Sequence, residues 1–280
     1  MKTASTIFLF LLCTACYSQK QTRLIVRGDD MGFSHSGNQA IIKAYKEGIE
    51  TSIEIIVPSP WFPEAVKMLD ENPSLDVGIH IALTSEWDNI KYRPVSHCPS
   101  LTDEDGYFFP MIWPNKNYPG KALQENKWTI EDVEKELRAQ IELAKRKIPR
   151  VSHISGHMGC YDISPEVKAL AKKLAVEYKI DIDLKELGVK GATYVGPKGT
   201  AEEKVASFIK MLEGLAPGET YVFVDHPGLD SPELQAVYHI GYENVAADRQ
   251  GVTTCWTDQR VKAAIKRLGI QLISYADLKK

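Results

Sequence analysis

The sequence predicts an α/β protein, an irregular (β/α) barrel of about seven parallel strands that is TIM-barrel-like. Short apolar runs alternate with helical patterns, and several of these runs are apolar on both faces, as in a parallel sheet covered on both sides. The chain has 280 residues, a length that suits one barrel. An open doubly wound sheet is the alternative fold.

The first half of the chain supplies three strands and two helices in alternation. Apolar, β-rich runs predict strands over 24–26, 52–57 and 77–83. A helix over 39–46 is expected to stop at Gly48, and a second helix covers 61–69. A long segment, 85–128, then interrupts the alternation.

The second half returns to the same alternation. Predicted strands cover 151–154, 180–184, 221–224 and 270–274, and predicted helices cover 130–147, 165–178 and 201–212. Thr129 and Ser164 are N-cap candidates because their hydroxyl groups can accept from free backbone N–H groups. A last helix is expected to begin after Thr257 and to end near Leu268.

Composition and charge exclude several function classes. The chain has 34 basic and 37 acidic residues, for a net charge of -3. It therefore lacks the basic excess of a nucleic-acid-binding protein, and we expect no nucleic-acid partner. No glycine-rich dinucleotide or phosphate-binding motif follows any predicted strand.

The N-terminus has the pattern of an export signal. Lys2 precedes an apolar run over 7–12, followed by small residues. The run is too short to span a membrane. We predict a signal peptide over 1–18, either cleaved after Ser18 or processed as a lipoprotein signal with a lipid anchor on Cys16. The protein would then be exported, as a periplasmic protein or a membrane-anchored lipoprotein.

Three cysteines remain outside the predicted signal peptide, and we interpret all three as structural: Cys98, Cys160 and Cys255.

The segment 85–128 is rich in aromatic residues and proline. It contains eight aromatic side chains, about twice the chain average of 9%. A long loop over a barrel mouth commonly binds a ligand, and aromatic faces suit sugar rings. The alternative is that these side chains form a satellite core under the loop. The two interpretations stay open at this point, and we call this segment the aromatic insert.

Polar residues follow four of the predicted strands. Asp29 and Asp30 end the first strand, His80 lies in the third, and Ser-His-Ile-Ser-Gly-His (152–157) and His226 follow two later strands. In a barrel these strand ends converge on one mouth. One Asp and two His residues would make a three-ligand metal site with room for water. A further carboxylate and imidazole could serve as base and acid for hydrolysis of an amide or ester.

These motifs, in this order, resemble the YdjC-like (ChbG/HpnK) carbohydrate deacetylases. The family's Asp-Asp-x-Gly turn and following helix correspond to LIVRGDDMGFSHSGNQAI. Its other motifs correspond to GIHIALT, SHISGHMG and VDHPGLD, and ISYADL resembles its last strand. The resemblance spans 23–277, so we assign 22–280 to one YdjC-like deacetylase domain that includes the aromatic insert.

The resemblance implies a metal-dependent hydrolase of carbon–nitrogen bonds. It would remove acetyl groups from N-acetylated mono-, oligo- or polysaccharides and release acetate. The family pattern implies one divalent metal ion, Mg or Zn, held by Asp30, His80 and His157. It also implies Asp29 as general base and His226 as general acid.

We assign substrate binding to Trp87, Tyr92 and His153. Ser155 stands where the family has Asp, and we expect this difference to change the outer partner of His157. Two alternative functions remain. The first is a metal-dependent amidase or deacylase acting on a glycolipid or another non-chitin substrate. The second is a non-catalytic sugar-binding lipoprotein.

Overall fold

A computed structural model describes residues 21–279, and the predicted signal segment with Cys16 lies outside them. Seven strands form one curled parallel sheet, a half-barrel that confirms the predicted TIM-barrel-like (β/α) fold with about seven parallel strands. The strands are β1 (Arg23–Met31), β2 (Ser52–Ile55), β3 (Asp76–Ile81), β4 (His153–Gly156), β5 (Lys190–Ala192), β6 (Thr220–Asp225) and β7 (Gln271–Leu272).

The first strand lies at the centre of the sheet, whose order is β4-β3-β2-β1-β6-β5. One edge of β1 pairs with β6 from Arg23 to Gly28. The opposite edge is shared, because β7 pairs with its first two residues and β2 pairs with its C-terminal half. The carboxyl ends of β1, β2, β3, β4 and β6 therefore lie at the same end of the sheet.

Eight α-helices of the described residues connect and cover these strands. They are α1 (His35–Glu47), α2 (Phe62–Asp70), α3 (Ile130–Lys147), α4 (Pro165–Glu177), α5 (Ala201–Glu213), α6 (Pro232–Gln235), α7 (Val245–Thr257) and α8 (Gln259–Arg267). The side chains of Thr129 and Ser164 cap α3 and α4 as predicted. Between residues 21 and 279, no helix has both the length and the apolar character needed to cross a membrane.

Two predictions about the second half were wrong. Residues 180–184 do not form a strand, and Asp181 makes only one isolated bridge, to His153. Ile182 packs with Ile25 and Ile273 in a small cluster, so the apolar alternation reflects a buried loop. The sequence also gave no signal for α7, and the cap of α8 is Asp258 rather than Thr257.

The three cysteines of the described domain are buried and free: Cys98, Cys160 and Cys255. Burial raises the pKa of the Cys98 thiol to about 12. A thiol that stays protonated in the core is a poor nucleophile and a poor metal ligand. Their placement agrees with the predicted structural role.

Candidate active site

The last residues of β1 and the turn that follows aim two adjacent carboxylates into the mouth of the sheet. Asp29 and Asp30 are 5% and 2% exposed. Asp30 has a φ of 70°, a left-handed conformation that is uncommon outside glycine, and Gly32 follows with a φ of 102°. Asn38 in α1 accepts a hydrogen bond from the Gly32 backbone at 2.7 Å, which ties the turn to the helix. The strained turn lets neighbouring side chains share one site.

Asp30, His80 and His157 meet at this turn, as the sequence resemblance implied. Asp30 Oδ1 lies 3.3 Å from His157 Nδ1 and 3.7 Å from His80 Nε2. One potential ligand atom from each residue lies within 4.8 Å of the other two, and all three residues are buried. Strands β1 and β3 and the end of β4 thus each supply one member of the group.

The second carboxylate oxygen of Asp30 is held by a different set of residues. Arg249 Nη2 donates to Oδ2 at 2.8 Å, and His226 Nε2 lies 3.8 Å from the same oxygen. Burial acts to raise the pKa of Asp30, but His226 and Arg249 hold it well below its usual range. Asp30 is therefore ionised, with Oδ1 directed at the two imidazoles.

Sequence reasoning missed Arg249 because it lies on the unpredicted helix α7. The guanidinium carbon of Arg249 lies 4.5 Å from the ring centre of Phe33 and 5.3 Å from that of Trp87. Such cation–π contacts, together with the bond to Asp30, fix a buried arginine in one orientation. Gly228 approaches the same side chain closely and donates to the Arg249 carbonyl at 3.1 Å.

The two imidazoles have different outer partners. His80 Nδ1 lies 2.6 Å from Ser155 Oγ, whereas His157 Nε2 lies 3.0 Å from Glu86 Oε2. Ser155 therefore contacts His80, and the outer partner of His157 is Glu86. Burial lowers the pKa of His80. For His157, Glu86 and Asp30 outweigh burial and raise the pKa to about 10.

Two hydrogen bonds from Arg27 hold the carboxylate of Asp29 in place. The Arg27 Nε and Nη2 atoms donate to its two oxygens at 2.8 and 2.9 Å. Arg27 Nη1 donates to the Tyr275 hydroxyl at 2.8 Å and lies 3.5 Å from Glu54. Asp29 Oδ2 is 3.7 Å from His80 Nε2, so the carboxylate borders the Asp30–His80–His157 group.

His153 lies beneath the site and has no exposed surface. Its Nε2 is 2.8 Å from Glu54 Oε1, and its ring stacks on Tyr275 with centroids 3.6 Å apart. Burial acts to raise the pKa of Glu54, but His153 and Arg27 lower it to about 2. This placement corrects the prediction of substrate contact, because His153 has no exposed surface and its Nε2 lies against the buried carboxylate of Glu54.

His226 is the most accessible imidazole of the site, with a side chain 40% exposed. Its Nδ1 lies 3.6 Å from Asp225 Oδ1. Burial acts to lower the pKa of His226, but Asp30 and Asp225 outweigh it and raise the pKa. An exposed imidazole with a raised pKa is suited to deliver a proton to a bound molecule.

The aromatic insert buries two of the predicted substrate residues. Trp87 is 2% exposed and Tyr92 has no exposed surface. Trp87 packs against Phe33 and Tyr242, with ring centroids 5.9 and 6.1 Å apart. Neither side chain has an open face for a sugar ring, so the satellite-core interpretation describes their placement. Trp113, at 42% exposed, is the large exposed aromatic of the insert.

Replacing Trp87 by Ala is expected to lower the free energy of unfolding by about 3–5 kcal/mol, because it removes a large buried ring. The same change at exposed Trp113 should alter it by less than about 0.5 kcal/mol. Urea denaturation of both variants measures the difference. A Trp87→Ala protein of unchanged stability but raised KM would favour the substrate-wall interpretation.

The donor set of the three-residue group fits a divalent cation. Asp30 Oδ1 is buried, and within residues 21–279 it accepts no hydrogen bond of good geometry, with His157 Nδ1 at 3.3 Å as its nearest polar neighbour in the group. Leaving an ionised oxygen in this state is costly unless a cation neutralises it. Two imidazole nitrogens and one carboxylate oxygen are typical zinc ligands, whereas magnesium prefers oxygen ligands alone.

A family model described as YdjC-like protein matches residues 23–267. The chain belongs to the YdjC-like family. A carbohydrate deacetylase of Brevibacillus brevis is 29% identical to it over 273 residues, covering 91% of this chain and 99% of the relative. Carbohydrate deacetylase 1 of Listeria innocua is 25% identical over 265 residues, covering 91% and 100%.

A solved structure from Enterococcus faecalis shares the fold of this YdjC-like chain. It superposes with a TM-score of 0.72 at 25% sequence identity and covers 92% of this chain and 99% of its own. Its description names it for cellobiose-phosphate cleavage. Residues 23–267, which the family model matches, contain Asp29, Asp30, His80, His157 and His226.

Proposed function

We propose that this YdjC-like protein is a metal-dependent carbohydrate deacetylase, a hydrolase that removes the acetyl group from an N-acetylated sugar. One observation carries the proposal. Asp29 and His226 border the group formed by Asp30, His80 and His157 from different strands. The site thus offers a base, an acid and a cation-binding set within one mouth. The names of the relatives support the substrate class.

Asp30, His80 and His157 would hold the divalent ion. When bound, such an ion acts as a Lewis acid toward a carbonyl oxygen and lowers the pKa of a neighbouring water. Arg249 donates a hydrogen bond to Oδ2 of Asp30, which leaves Oδ1 available to bind the ion. Ser155 and Glu86 hold the outer nitrogens of the two imidazoles, so that each ring presents its other nitrogen to the group.

Asp29 is placed to accept a proton from the attacking water. Arg27 donates to both of its oxygens and prevents the carboxylate from turning away. Each carboxylate oxygen has further lone pairs, so Asp29 can still take a proton while it is held.

His226 is placed to protonate the departing amine. Its Nε2 lies 3.8 Å from Oδ2 of Asp30, whereas the imidazoles of His80 and His157 lie near Oδ1. An amine is a poor leaving group as an anion, and protonation of its nitrogen allows the carbon–nitrogen bond to break. Asp225 orients the imidazole through Nδ1, which leaves Nε2 facing the site.

Acetate release from a panel of acetylated compounds tests the proposal. The metal-stripped protein would be loaded with Zn²⁺ or Mg²⁺ and incubated with N-acetylated mono- and oligosaccharides, an acylated glycolipid and an acetylated peptide. We expect acetate from the sugars and none from the His157→Ala variant. Release from the glycolipid alone would favour the deacylase alternative, and sugar binding without release would favour the non-catalytic one.

A further inference from the structure

We propose that Glu86 is a positioning residue for His157, and that the aromatic insert holds Glu86 in place. Its Oε2 atom lies 3.0 Å from His157 Nε2, and both side chains are 5% exposed. The inference rests on the proposed function, because it requires that His157 binds a metal ion. Glu86 belongs to no motif of the sequence analysis, because it lies at the start of the aromatic insert.

The geometry specifies which nitrogen of His157 faces the metal group. His157 Nδ1 lies 3.3 Å from Asp30 Oδ1, while Nε2 is occupied by Glu86. A carboxylate that accepts the Nε2 proton stabilises the tautomer whose lone pair is on Nδ1. His80 has the reverse arrangement: its Nε2 faces the group, and its Nδ1 contacts the uncharged hydroxyl of Ser155. Only one of the two imidazoles therefore has a charged outer partner.

Charge explains why that partner is a carboxylate. Asp30 is the one anionic member of the three-residue group, and it shares its charge with Arg249 through a 2.8 Å contact. Within the three-residue group a divalent cation would therefore meet less than one full compensating charge, and the carboxylate of Asp29 beside the group is itself paired with Arg27. Glu86 adds a further buried carboxylate, whose effect is transmitted through His157. A carboxylate in this position also increases the basicity of the coordinating nitrogen.

The insert fixes Glu86 through the preceding residue, Ser85. The Ser85 N–H donates to the Phe109 carbonyl at 3.0 Å. Its hydroxyl accepts from the Tyr92 N–H at 2.7 Å, and its carbonyl accepts from Lys91 Nζ at 3.1 Å. Three bonds from the insert thus converge on the residue before Glu86. The burial of Trp87 on the other side completes the support.

Zinc affinity of the full metal-stripped chain tests this role independently of catalysis. Competition with a chelator of known affinity would be measured for wild type, Glu86→Gln, Glu86→Ala and His157→Ala. We expect about 10–100-fold weaker binding for Glu86→Ala, the usual loss when such an outer partner is removed. Glu86→Gln should lose less, because its amide oxygen still accepts the proton but carries no charge.

Glu136→Gln is the matched control. Glu136 is a buried carboxylate that also contacts the insert, accepting from the Val95 and Ser96 N–H groups at 2.9 and 2.8 Å. Glu136 contacts no imidazole, so the zinc affinity of the Glu136→Gln protein should equal that of wild type. Should Glu86→Ala fail to fold in thermal melts, the isosteric Gln variant gives the answer.

The outcomes separate the two proposals. Equal zinc affinity in wild type and His157→Ala would overturn the metal site itself, and with it the proposed function. Weak binding by His157→Ala alongside unchanged binding by both Glu86 variants would overturn only the role of Glu86. Nitrogen-15 NMR of the zinc-loaded protein gives a second measure. Coordination of His157 through Nδ1 is expected, and coordination through Nε2 contradicts the inference.

Discussion

Replacing Asp29 by Asn is expected to lower kcat by about 10²–10⁴-fold, the usual contribution of a general base. The amide keeps the shape of the side chain and its Oδ1 can still accept from Arg27, but it cannot take a proton. Because Asp29 borders the Asp30–His80–His157 group without belonging to it, metal content should hold. Steady-state kinetics on an N-acetylated sugar and metal analysis of the same sample measure both quantities.

Asp162→Asn serves as the control for this variant, since Asp162 is an exposed carboxylate paired with Lys168. Its kcat should match wild type. Loss of metal from the Asp29→Asn protein would instead make Asp29 a ligand. Unchanged kcat would remove it from the reaction.

The His226→Ala variant is expected to lose activity in a way that depends on the leaving group. On an N-acetylated sugar its kcat should fall by about 10²–10⁴-fold, because the departing amine needs a proton. On an aryl acetate the leaving group is stable as an anion, so the loss should be much smaller. The ratio of the two losses, measured on one enzyme preparation, is the quantity that decides the role of His226.

His97→Ala is the matched control, because His97 is exposed in the insert, where its backbone carbonyl accepts from Lys135 Nζ. It should keep both activities. Equal losses on the sugar and the aryl ester in His226→Ala would show that His226 does not protonate the leaving group. A role in holding Asp30 would then be the explanation to test.

The sequence was sufficient to predict polar residues at the carboxyl ends of strands, which converge at one mouth. Asp30 and His80 lie near the ends of β1 and β3, and His157 follows β4. The family resemblance implied that these three residues form one group. Arg249 and Glu86 could not be found in this way. Arg249 lies on a helix whose buried residues include Gly251 and Thr253, without a clear apolar stripe. Glu86 acquires its role only because the insert folds back over it.

Aromatic residues were interpreted less successfully than charged ones. A charged side chain near a strand end needs a partner, and this requirement limits where it can lie. Trp87 can be stable either against a sugar or inside a core, and its sequence context is the same in both cases. The apolar pattern of 180–184 is ambiguous for a similar reason, because burial of Ile182 requires no strand pairing.

The central position of β1 has a consequence for how the protein is made. Arg23 pairs with Thr220, 197 positions later, and Asp30 is bonded to Arg249, 219 positions later. Contacts between such distant residues close large loops and are slow to form. On the ribosome, the first strand has no permanent neighbour on its β6 edge until most of the chain has emerged. Premature termination before β6 would therefore leave an unpaired, aggregation-prone edge and no assembled mouth.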